Sequence, residues 1–161
     1  MAWTAPSTWV AGAVLTAAEL NEQVRDNMDV LAPFSAAWTS WTPTLTQPGA
    51  IAKTVNYAKY MQVGKLVIAN FYVSVTGTGT LANAVSLGVP TTAASTLVVV
   101  GTCQIFDASA STSYAGNCLA LSTTTVAFVG DWAGANVYGT QPSIALGAGD
   151  LIKGTLMYEA A

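Results

Sequence analysis

The chain has 161 residues, 52% of them hydrophobic and only 8% charged, with no histidine and a formal net charge of −3. The missing histidine excludes every Ser-His-Asp or Cys-His catalytic arrangement and removes the commonest metal ligand. Five scattered basic residues exclude the clustered cationic stripe that nucleic-acid binding needs. An ordinary domain carries about 25% charged residues, so much of this surface is expected to meet other protein.

Residues 1–15 hold Trp3, Pro6 and Trp9 and no periodicity, which predicts an extended arm anchored by its two tryptophans. Trp3 and Trp9 either dock on a neighbouring subunit, as buried tryptophans do in many interfaces, or fold back on their own domain. A short helix is expected over residues 16–32. Thr16 and Glu19 have the spacing of a capping box, and Pro33 ends the segment. Ala17, Leu20, Val24, Asn27 and Leu31 fall at 3–4 spacing, while Glu19, Glu22, Arg25, Asp26 and Asp29 lie off that stripe. Such a helix packs on its own domain, or joins a parallel trimeric bundle in which Asn27 is a polar layer fixing register. Two heptads cannot hold such a bundle alone.

From residue 38 to 161 the texture is β. Trp41–Thr46 alternates around Pro43 and reads as an edge strand or strand start. Val55, Tyr57, Lys59, Met61 and Val63 alternate with polar or smaller residues. Gly64 then turns the chain into a strand whose Val67, Ala69, Phe71, Val73 and Val75 share one face. Further strands are expected near 84–89, 96–106, 117–122, 125–129 and 151–158. In the last, Ile152, Leu156 and Tyr158 face one way and Gly154 marks a close backbone approach. Eight or so short strands and no internal repeat predict a mainly β fold, an antiparallel jelly-roll sandwich preceded by the arm and one short α-helix. Cys103 and Cys118 would face each other across a hairpin turning at 108–113. They are expected as buried free thiols, with a disulfide open to them in an oxidising medium.

The chemistry-bearing motifs are few. There is no G-x-S-x-G elbow, no P-loop and no dinucleotide loop, so neither a catalytic site nor a cofactor or metal is expected. The uncharged stretch 66–106 is broken by threonine, serine, glycine and proline into runs well short of the ~20 apolar residues a spanning helix needs. No positive region precedes an apolar block at the N-terminus, so no secretory signal is expected. The best recognition segment is Asp131, Trp132, Asn136, Tyr138 and Gln141. Its aromatics would stack on a sugar while the amides and carboxylate meet hydroxyls, or they would serve as core or interface plugs. Asp107 and Asp131 as a hydrolytic pair are a distant third reading.

The opening Trp3-Thr4-Ala5-Pro6-Ser7-Thr8-Trp9-Val10-Ala11-Gly12, then Thr16 to Asn21 and Val24-Arg25-Asp26-Asn27, resembles the N-terminal signature of small tailed-bacteriophage virion proteins, especially of actinobacterial phages. Trp41-Thr42-Pro43-Thr44 and Tyr60 to Lys65 extend the resemblance, and residues 149–159 are similar to the closing strand of their C1q/TNF-like jelly rolls. The resemblance covers both ends and the first hairpin, not residues 80–145. It implies a homotrimer on the virion surface, assembled in the host cytoplasm. That trimer would be a capsid decoration or head-fibre protein on the major capsid protein, or a tail fibre or minor tail protein contacting host-surface glycan.

Overall fold

A computed structural model describes residues 4–130 and 137–161. The expected helix is present, but not as one uniform α-helix. α1 (Ala17–Leu20) continues as a π-helical stretch, Asn21–Asp26, into α2 (Asn27–Asp29), and a 3₁₀ turn follows at Ala32–Phe34. Its start is as the spacing predicts. The Glu19 N–H donates to Thr16 Oγ1 at 3.2 Å, and Glu19 Oε2 accepts from the Thr16 N–H at 2.8 Å. The widened middle has a local cause. Asn27 Nδ2 donates to the Gln23 carbonyl at 3.2 Å, and a side chain on the i−4 carbonyl competes with the α-helical pattern there.

Among the described residues nine antiparallel strands form one sheet: β1 (Thr39–Ser40), β2 (Leu45–Thr46), β3 (Lys53–Val63), β4 (Leu66–Val75), β5 (Ser86–Gly88), β6 (Val99–Asp107), β7 (Thr112–Ala120), β8 (Thr125–Val129) and β9 (Leu151–Glu159). Their order is β1-β3-β4-β9-β6-β7-β8-β5-β2. Laid flat, nine strands would span about 38 Å. Yet the outermost strands, β1 and β2, are joined by residues 41–44 alone, a link that reaches at most about 17 Å. The sheet must therefore curl until its edges approach, and the curl encloses the core. This is the mainly β, antiparallel, sandwich-type class the alternation predicts. Pro43 sits in the link between the two edges, where no ladder needs its missing N–H.

The core lines the inside of the curl. Val67, Ala69, Phe71, Val73 and Val75 of β4 are buried, as are Ile152, Leu156 and Tyr158 of β9. Phe71 reaches Phe128 of β8 at 6.4 Å between ring centroids, and Trp41 meets it edge-on at the same distance, so the layers are stitched across the interior. β3 departs from simple alternation. Val55 faces Val73 but Tyr57 faces Tyr72, so Asn56 is an extra, bulged residue. The bulge flips the phase: Ala58 is buried and Tyr60 packs on the core, while Tyr57, Lys59 and Met61 point outward.

The segment expected at 117–122 starts five residues earlier, as β7. Asp107 pairs with Thr112, closing a tight turn. Cys103 and Cys118 occupy diagonal positions on β6 and β7 and are buried free thiols. Their mutual hydrogen bond, then burial, pushes the Cys118 thiol up.

Candidate functional site

Side-chain to backbone hydrogen bonds tie the arm to the helix. Thr4 N–H donates to Asn27 Oδ1 at 2.9 Å and Asn27 Nδ2 donates to the Thr4 carbonyl at 3.0 Å. One turn earlier, Gln23 Oε1 accepts from the Ser7 N–H at 2.8 Å. Two amides four residues apart on one helix face thus grip the arm's backbone, as a neighbouring strand would. Asn27 is 5% exposed and is the single buried residue between Thr4 and Ser40.

That grip corrects the seam expectation for Asn27. Both atoms of its amide are engaged by its own arm, so it is not a free polar layer between helices. The other seam positions differ. Leu20, Val24 and Leu31 are 45%, 47% and 49% exposed, and Ala17 is exposed too. Trp9 is 45% exposed on the arm; Trp3 lies outside the described residues. After Asn27 the next buried residues are Pro43 and Leu45. The helix charges sum to −3 (Glu19, Glu22, Asp26 and Asp29 against Arg25), which equals the net charge of the whole chain. Arg25 Nε is already paired with Asp26 at 2.7 Å.

Asn27→Leu is expected to release the arm. Two backbone groups of Thr4 lose their partners, worth about 1 kcal/mol each, so the fraction of open arm should rise about tenfold or more. Limited proteolysis between residues 4 and 15 reads this directly. Unchanged cleavage would show that something other than Asn27 holds the arm.

The recognition segment is also revised. Tyr138 is fully buried, with its ring edge-on to Tyr114 at 5.3 Å. Its N–H donates to the Phe128 carbonyl at 2.7 Å, and its carbonyl accepts from the Val85 N–H at 3.0 Å. Backbone pairing on both sides pulls the ring inward, so Tyr138 is a core plug and not a ligand contact. Burial, followed by the nearby charges of Asp107 and Asp150, pushes its phenol up. Gln141 is exposed; Asp131, Trp132 and Asn136 lie outside the described residues. Asp107 is 4% exposed, and its Oδ1 accepts from Ser109 Oγ at 2.7 Å and the Ala110 N–H at 3.1 Å. This carboxylate fastens the β6–β7 turn; Asp131, its partner in the hydrolytic reading, lies outside the described residues.

One organising residue escaped the sequence reading. Gln47 is 1% exposed and uses its whole side-chain amide. Nε2 donates to the Asn83 carbonyl at 2.9 Å and the Ile144 carbonyl at 2.6 Å, while Oε1 accepts from the Leu146 N–H at 2.8 Å. It ties together three loops at one end of the sheet.

Among the described residues no three His, Cys, Asp or Glu side chains converge as metal ligands. No described helix is long and apolar enough to cross a membrane. Compared with protein-family models, with curated proteins and with solved structures, the chain matches none.

Proposed function

We propose that this chain is a structural protein of a tailed-bacteriophage virion. In this reading it is a homotrimer that decorates or stabilises the head, seated on the major capsid protein or on tail proteins through its arm and helix. One observation carries the reading: from Thr4 to Ser40 no apolar side chain is buried, while Trp9, Leu20, Val24 and Leu31 stand half exposed. A segment that keeps its polar grip internal and its apolar surface external is completed by other subunits. The N-terminal resemblance to virion proteins and the low charge content support the same reading. The alternative is a tail fibre or minor tail protein that binds host-surface glycan with the same trimer.

Mass in solution tests the trimer. Three copies of 16.5 kDa give a particle of about 50 kDa; a 16.5 kDa species at micromolar concentration would count against it. Binding to heads lacking the protein, set against labelling of host cells, then separates decoration from the tail alternative. Labelling of cells without binding to heads would reverse that order.

A further inference from the structure

The outward face of the curled sheet is built from registered rows. Tyr57 on β3 faces Tyr72 on β4, Tyr72 faces Lys153 on β9, and Lys153 faces Gln104 on β6. In the next row Lys59, Asn70, Thr155, Thr102 and Asn117 stand side by side across β3, β4, β9, β6 and β7. Directly opposed side chains in such a ladder have Cβ atoms about 5 Å apart, so each row is a continuous strip. Lys59 Nζ lies 5.8 Å from the Tyr57 ring centroid, and Lys153 Nζ lies 4.8 Å from that of Tyr72. The Thr102 and Thr155 hydroxyls are 3.2 Å apart.

Charge on this face is one-sided. The two rows hold two ammonium groups and no carboxylate. Glu159, further along β9, already pairs with Lys65 at 3.6 Å. Beside the rows a mainly apolar depression of about 430 Å³ opens, bordered by Ile68, Val99 and Met157 together with Asn70, Thr102 and Thr155.

We propose that this face binds a polysaccharide bearing anionic groups. Two tyrosine rings, each beside a lysine ammonium, offer apolar surface to sugar rings. Asn70, Gln104, Asn117 and the two threonines supply donors and acceptors for hydroxyls. The lysines, roughly 12 Å apart by strand spacing and residue rise, take the anions as point charges. A nucleic acid fits less well, because tracking its closely spaced phosphates needs more cations than two. The inference requires neither the trimer nor the virion placement, and it puts sugar contact on the sheet face.

The test uses the full chain with four probes: an alginate oligosaccharide for carboxylate, poly(glycerol phosphate) for phosphate, dextran as a neutral glycan, and oligothymidylate. Binding of either anionic glycan, weakening with added salt, is expected, and whichever binds more tightly identifies the anion. The Lys59→Gln/Lys153→Gln double variant should bind about tenfold more weakly, the equivalent of two exposed ionic contacts. Tyr72→Ala should lose affinity that Tyr72→Phe retains. Overturning results are failure of the wild-type chain to bind either anionic glycan, dextran binding as tightly, or an unaffected double variant. Tightest binding of oligothymidylate would also overturn the proposal. So would protection of Lys153 from acylation that disappears when the oligomer is dissociated, since a second copy would then own this face.

Discussion

Gln47→Leu is expected to lower the free energy of unfolding by about 4 kcal/mol. Leucine fills similar space but leaves the Asn83 and Ile144 carbonyls and the Leu146 N–H without the partner they now have. Each buried group so stranded costs about 1–3 kcal/mol, and the losses are not fully additive. Against a typical total of about 5–15 kcal/mol, that is a large share of the fold's stability. Relaxation is restricted, because a Cβ at Gly79 would already collide with the Gln47 amide oxygen. The space around this side chain is shaped to it. Equilibrium urea unfolding followed by tryptophan fluorescence measures the effect, and a loss below about 1 kcal/mol would mean the three loops are held by their backbone contacts instead.

That residue also marks the limit of what the sequence discloses. Gln47 lies in Thr46-Gln47-Pro48-Gly49, a context that reads as a solvated turn. Its burial depends on loops 36 and 97 residues away in the chain, and no local pattern encodes that meeting. Tyr138 was left open between a sugar contact and a core plug for the same reason, and the structure takes the second. An aromatic among Gly, Asn and Thr looks like a loop tip until its backbone pairs with Phe128 and Val85. Asn27 presents a subtler case. The helical spacing placed it on a stripe, but its partner is the backbone of Thr4, and a backbone carries no sequence signal. What was legible has a common physical basis. In β4 one face is buried along its whole length, so period-two alternation shows directly. The helix start rests on two side chains three residues apart. β3 was only half legible: its alternation was visible, but a single bulged residue, Asn56, reverses which half faces the core.

Gly154 was the most informative single residue in the sequence, and it supports the second large prediction. A glycine inside a strand implies that something approaches too closely for a Cβ. The structure identifies what approaches: a Cβ at position 154 would lie 2.5 Å from the Thr102 carbonyl oxygen and 2.6 Å from Phe71 Cζ. β9 is a central strand, laddered to β4 on one side and β6 on the other, so it cannot swing away without breaking one of them. Phe71 is itself locked between Trp41 and Phe128. Gly154→Ala is therefore expected to cost about 3 kcal/mol, the upper end for an overpacked core, and to lower the unfolding temperature by roughly 6–12 °C in a domain of this size. Pairing it with Phe71→Leu separates the two collisions. If the ring is the main obstacle, the double variant should be more stable than the sum of the single losses allows. Strict additivity would assign the cost to the Thr102 carbonyl, which no side-chain change can move. A stability unchanged by Gly154→Ala would mean that β9 and β6 stand further apart than their register requires.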